Sequence, residues 1–172
     1  MSAMTVNDRA FAVATFRFIS VRLMEIVARW TPTTPEMEVK IVFGRHIWDF
    51  AQHAEILGKR TFELRQPEQF SRRPVDAYVD LLDHMAELKS TSERLGALYD
   101  GLLPALERRY RDYISVADPI LDEPTIILFD RIVADLQRMR EDANKVRLDR
   151  AISAWDAGAI ASAERSIERI VS

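Results

Sequence analysis

The chain contains no cysteine. Disulfide frameworks, thiolate-bound zinc, iron–sulfur clusters and thiol nucleophiles are therefore excluded together. Glycine is scarce, at 5 in 172 residues, and neither a glycine-rich phosphate loop nor a Gly-x-Ser-x-Gly elbow occurs. No apolar run approaches the roughly 20 residues that a membrane-spanning helix requires. Met1 to Arg9 lacks a basic start followed by an apolar stretch, so a secretory leader is not expected and a cytoplasmic location is. An excess of positive charge is missing too, with 24 bases against 27 acids and a net charge of −3. Arg108, Arg109 and Arg111 form the one tight basic cluster, and Glu107 and Asp112 balance it. A nucleic-acid partner is not expected.

What remains is rich in apolar residues, 48% of the chain, and their spacing is helical throughout. No run alternates with period two for long enough to make a strand. The length suits one domain with one core, spanning 1–172. A first helix is expected over 7–30, opened by Asn7 and Asp8, with Phe11, Ala14, Phe18 and Val21 on one ridge. Thr31 to Pro35 punctuates it. Thr34 as N-cap and Pro35 at the first helical position would start a second helix that runs to about Arg65. Its seam, Val39, Phe43, His46, Phe50, His53 and Leu57, alternates spacings of four and three.

A longer connection around Pro67 and Ser71 to Pro74 precedes a third helix over about 74–114, which Gly96, Gly101 and Pro104 should kink or break. Asp122 or Glu123 before Pro124 reads as the entry to a fourth helix carrying Ile126, Phe129, Val133, Leu136, Met139 and Ala143. The bundle core is then about 8–147. A further C-terminal packing helix is expected over about 149–171, bearing Ile152, Trp155, Ile167 and Ile170.

Polar groups interrupt the second helix's seam. His46, Asp49 and His53 stand at i, i+3 and i+7 and share one side of that helix. Burying all three is costly unless partners are supplied. Arg17 and Tyr99 are further candidates, Arg17 as a partner for Asp49 and Tyr99 as the floor of the interior. Asp80, His84 and Glu87, and likewise Asp130 and Arg131, read as solvated faces.

Two patches carry a family resemblance. Arg45-His46-Ile47-Trp48-Asp49-Phe50-Ala51-Gln52-His53-Ala54, followed by Leu57-Gly58-Lys59-Arg60, resembles the second helix of ferritin-like proteins. Asp122-Glu123-Pro124-Thr125 and Arg131 to Leu136 resemble the start of helix four in bacterial ferritin-like domains. The resemblance implies a four-helix bundle, all-α, with the C-terminal helix added. It also implies a carboxylate-bridged di-metal centre, built from one Glu on each of two helices and a Glu-x-x-His element on each of the others.

The ligand residues depart from that pattern. No Glu lies three residues before His46, His53 or His84. Phe50 stands in the Glu place before His53, and Leu136 and Met139 stand where Glu and His belong on helix four. Reflection about the turn at residues 32–33 sets Asp49 level with Phe16 and Arg17. Glu25 then lies about 9 Å away at 1.5 Å per residue. A guanidinium in place of a carboxylate would repel a cation, so no metal and no cofactor is expected.

The expected function is a ferritin-like protein that has lost its di-metal centre and binds or transforms a small molecule inside the bundle. His46 or His53 would act as base, Asp49 would orient it, Arg17 would hold an anionic group and Tyr99 would donate a hydrogen bond. The resemblance places such proteins in bacterial specialised metabolism. Two alternatives stand beside this reading. One is a di-iron-type oxygenase with an unorthodox ligand set of His46, Asp49, His53 and Asp100. The other is a non-catalytic module that forms a homodimer through its C-terminal stripe.

Overall fold

A computed structural model describes residues 4–150 of the chain, and every regular element among them is helical. Helix α1 spans Val6–Trp30, a 3-10 turn covers Thr31–Thr33, and α2 spans Met37–Glu63. A crossover containing the short helix α3 (Asp76–Ala86) follows. A long third segment then comprises α4 (Thr91–Leu95), a π-helical turn (Gly96–Leu102) and α5 (Leu103–Val116). Helix α6 spans Glu123–Arg150. The C-terminal packing helix expected over 149–171 lies outside the described residues, except for positions 149 and 150, which still belong to α6.

Local chemistry sets these boundaries. Helix α1 begins before Asn7 because Thr5 and Asp8 form a capping box: Asp8 N–H donates to Thr5 Oγ1 at 3.2 Å and Thr5 N–H to Asp8 Oδ2 at 2.9 Å. Thr34 does not cap α2, whose N-cap is Glu36. Its hydroxyl donates instead to Trp30 O at 2.9 Å and accepts from Arg94 at 2.9 Å. The single third helix expected over 74–114 is two pieces. Glu87–Ser90 separates them, and a second capping box, Ser90 with Glu93, restarts the chain. The kink expected at Gly96, Gly101 and Pro104 takes the form of the π-helical turn, which widens one turn of the helix there. Asp122 precedes Glu123 at the entry to α6, as its sequence suggests.

The directions of the segments follow from contacts at the two ends. Arg94, at the start of the third segment, donates to Trp30 O and to the Thr33 and Thr34 hydroxyls at the α1/α2 turn. Arg9, at the opposite end of α1, donates to Leu121 O at 3.1 Å, just before α6. The chain therefore runs up α1, down α2, back up through the crossover, down residues 91–116 and up α6. Helix α1 packs chiefly on α2, while α6 packs on both α2 and α5.

The lower core is aromatic. Phe16 stacks on Tyr110 with centroids 4.1 Å apart, and Phe129 meets Phe16, Tyr110 and Tyr113 edge-on at 5.2, 4.8 and 4.8 Å. Each such ring contributes about 1.5–3 kcal/mol by leaving water. Buried polar clamps hold the two ends. Arg94 closes the upper one. At the lower, buried Asp122 accepts from Tyr113 Oη at 2.5 Å, Thr125 Oγ1 at 2.6 Å and Arg60 at 3.3 Å. Arg60 also donates to Thr125 Oγ1 at 2.8 Å.

Two glycines of α2 differ in their surroundings. A Cβ on Gly58 would strike the Gln69 side chain, its nearest atom 2.1 Å away, whereas one on Gly44 meets nothing within 4 Å. Replacing Gly44 by Ala therefore adds helix propensity without strain, and Gly44→Ala is expected to stabilise the fold by about 0.5–1 kcal/mol. Chemical denaturation, with the midpoint moving up at constant m-value, checks this.

Candidate functional site

Helices α2 and α6 run antiparallel, and three polar residues on each meet across the seam. His53 Nε2 donates to Asp135 Oδ2 at 3.1 Å, Arg138 pairs with Asp49 Oδ1 at 3.0 Å, and His46 Nε2 lies 3.5 Å from Asp142 Oδ2. The rungs mesh because the spacings match. Positions 46, 49 and 53 step by three then four along α2, and positions 142, 138 and 135 step back by four then three along α6. Arg138 also bonds Asp135 Oδ1 at 3.1 Å, so its guanidinium bridges two carboxylates.

The top rung continues inward. His46 is fully buried, and its Nδ1 lies 2.7 Å from the hydroxyl of Tyr99, which is also buried. The tautomer that suits both ends carries its proton on Nε2, toward the Asp142 carboxylate. Nδ1 then accepts from the Tyr99 hydroxyl. Burial pulls His46 down to about 4, against the opposing pull of Asp142 and Asp49. Burial likewise pushes the Tyr99 hydroxyl up. Asp135 is held at about 2, chiefly by the His53 hydrogen bond, with burial opposing and Arg138 assisting. Burial raises Asp142, but the nearby His46 imidazole and Arg45 outweigh it and leave the carboxyl below its ordinary value. At neutral pH the relay is thus a protonated tyrosine, a neutral imidazole and an ionised carboxylate.

Asp142 faces outward as well. It lines a groove of about 270 Å³ between the start of α2 and the end of α6, together with Ile41, Val42, Arg45, Lys145 and Val146. Arg45 approaches Asp142 to 3.4 Å and Lys145 to 3.8 Å. Two buried atoms of the ladder, His46 Nε2 and Asp49 Oδ2, have no hydrogen-bond partner among the described residues.

Of the five residues selected from sequence, the structure gathers four. His46, Asp49, His53 and Tyr99 all belong to the α2/α6 seam or its inner wall. Arg17 does not join them, and the Arg17–Asp49 pair is not formed. Its guanidinium donates to Gln69 Oε1 at 2.9 Å and to Ser71 Oγ, fastening the crossover to α1. Asp49 takes its cation from α6 instead. Three contacts fix the register of the last two segments. Asp100 pairs with Arg147 at 2.7 Å, and Glu107 with Gln137 at 2.8 Å and Arg140 at 3.6 Å.

Sequence reasoning misses Asp135, Arg138 and Asp142. Their signal was the i, i+3, i+7 spacing that mirrors His46, Asp49 and His53. Glu25 pairs with Arg22 at the surface, and Asp80, His84, Asp130 and Arg131 are exposed, as expected.

The donor set does not fit a di-metal centre. Among the described residues no three His, Asp or Glu side chains converge as ligands. Phe50, Leu136 and Met139, which stand in the ligand places of the family pattern, are all buried in the apolar core. The cation between Asp49 and Asp135 is a guanidinium, and Asp100 is engaged by Arg147. Comparison with protein-family models, with curated proteins and with solved structures finds no match.

The pKa displacement of His46 has a measurable consequence. A histidine held down when folded binds fewer protons than its unfolded counterpart. Its contribution is complete above about 6.5 and lost as pH falls toward 4. Acid lability in that window, on the order of 3 kcal/mol at full protonation, is expected to flatten in His46→Gln. Asp135 contributes above about 4 and loses its share as pH falls toward 2. Arg138→Met, which strands both carboxylates at a partly solvated site, should cost about 1–2 kcal/mol at pH 7. Urea melts across pH 3–8 check each outcome.

Proposed function

We propose that this chain is a ferritin-like bundle that has exchanged a metal centre for a ladder of protein charges, and that it binds a small molecule in the groove beside Asp142. The order of the segments supports the bundle reading: up, down, a long crossover, down, up, with one crossover as ferritin-like folds have. The observation that carries the ligand reading is the double role of Asp142. It forms a wall of the groove and the outer end of the Tyr99–His46 relay.

The chemistry of the groove suits binding more than turnover. Ile41, Val42 and Val146 give an apolar wall, and Arg45, Lys145 and Asp142 give both signs of charge at one end. A small molecule with an apolar body and a polar head matches that lining. His46 does not line the groove and reaches it only through Asp142. It is a positioning residue that fixes the direction of the Asp142 carboxylate, and Tyr99 fixes the imidazole in turn. Asp142, surrounded by Arg45, Arg138 and Lys145, is too well compensated to be a strong base.

A second reading, a homodimeric interaction module, has an observation of its own. Met37, Ile41 and Trp48 lie exposed along the outer face of α2, with Gly44 open between them. A second copy packed about Gly44 would set Ile41 against Trp48 of its partner.

A small-molecule fragment screen by nuclear magnetic resonance on the intact protein tests the groove. Hits are expected to shift the methyls of Ile41, Val42 and Val146. Val146→Trp, which fills the groove, should weaken them by at least about tenfold, a loss of 1.4 kcal/mol. Asp142→Asn should weaken them too, and should lower the His46 pKa further. Hits that ignore Val146→Trp, or that map to Trp48, would refute the groove.

A further inference from the structure

At the other side of the upper end, away from the ladder, lies a recess of about 310 Å³ between the α1/α2 turn and the α3–α4 connection. Arg29, Trp30, Thr33, Leu88, Lys89 and Arg94 line it. Arg94 is only 4% exposed. Its hydrogen bonds go to neutral oxygens: Leu88 O at 3.0 Å, Trp30 O at 3.2 Å, and the Thr33 and Thr34 hydroxyls at 2.9 Å each. Among the described residues no carboxylate approaches it within ion-pair distance. Nearby Glu36 is bonded by Thr91 at 2.6 Å, and Glu93 by Ser90 at 2.9 Å.

A buried guanidinium bonded only to neutral oxygens, with no direct ion pair, is costly. Two more cations stand at the same recess. Arg29 pairs with exposed Glu87 at 2.8 Å, and Lys89 lies 3.8 Å from the same carboxylate. One acid thus pairs with two cations, while the third has Glu36 and Glu93 only as more distant charges among the described residues. The Trp30 indole N–H is also buried, with no hydrogen-bond partner among the described residues. Three positive groups beside Trp30 and Leu88 thus line a recess in which one carboxylate is the sole direct ion-pair partner among the described residues.

We propose that this recess binds a small oxyanion, a carboxylate or phosphate group, with Arg94 as its buried electrostatic anchor and Arg29 and Lys89 as its outer arms. Glu87 occupies the outer arms in the absence of ligand and is displaced by it. The site is separate from the groove at Asp142, and either could exist without the other. Burial holds Arg94 below its ordinary range, with Glu36 and Glu93 acting against this.

The test is titration of the full chain with inorganic phosphate and, separately, with acetate. Ionic strength is held constant with sodium chloride, and the readouts are calorimetry and the indole resonance of Trp30, identified by its loss in Trp30→Phe. Saturable binding of one or both anions is expected, with the Trp30 indole signal shifting. The double variant Arg29→Gln/Lys89→Gln, whose side chains are solvent-exposed, should fold normally and bind at least tenfold more weakly. Glu87→Gln, which removes the competing carboxylate, should bind several-fold more tightly. If the two anions differ, the one that saturates at lower concentration names the group. Three results would overturn the proposal: no response beyond chloride, equal binding in the double variant, or no tightening in Glu87→Gln.

Discussion

The antiparallel pairing of α2 with α6 rests on a charge sequence that reads correctly in one alignment. Sliding α6 by one turn in one direction would set Asp49 against Asp135 and His46 against Arg138. Sliding it the other way would set Asp49 against Asp142 and His53 against Arg138. Either slip brings carboxylates together and strands an imidazole beside a guanidinium. Apolar packing alone tolerates such slips far better, because one Leu or Val row resembles the next. The ladder therefore contributes less to the depth of the native state than to its uniqueness. Its outermost groups remain partly wet, as charges of limited net worth usually are.

The same ladder shows how side chains alone can compensate polar residues on the seam. An ion between carboxylates supplies positive charge that can leave. Arg138 supplies it covalently, from a neighbouring helix, and with a planar fork that fixes direction as well as charge. The end clamps follow similar logic. Arg60 meets a buried carboxylate at the lower end, whereas Arg94 meets only carbonyl and hydroxyl oxygens at the upper one. That difference makes the lower end self-sufficient and the upper end receptive.

Much of this was legible before the fold was seen, where the relevant physics is local. Helical periodicity located α1, α2 and α6, and the Asp122-Glu123-Pro124 signal marked where α6 starts. The polar trio of α2 was visible because histidines on an apolar seam stand out. Features governed by partners distant in sequence were not legible in the same way. Arg17 was assigned by reflecting two helices about their turn, a construction that omits the crossover where Gln69 and Ser71 capture it. The α6 half of the ladder carries no local mark, since nothing local distinguishes an acid that faces water from one that faces a histidine. The break at Glu87–Ser90 was written in the Ser90 and Glu93 capping box, yet it lacks the glycine or proline that usually signals one.

The wide turn at Gly96–Leu102 carries a consequence for how this chain can change. It inserts slack into an otherwise regular rod, so the stretch above it and the stretch below it need not share a rotational phase. Arg94 can then point at the α1/α2 turn while Tyr110 and Tyr113 point at the aromatic core. Losing a single residue here would restore a plain α-helix and force a choice between the two ends. The segment acts as a vernier between two independently fitted halves, and descendants of this sequence should vary freely on either side of it but seldom in its length.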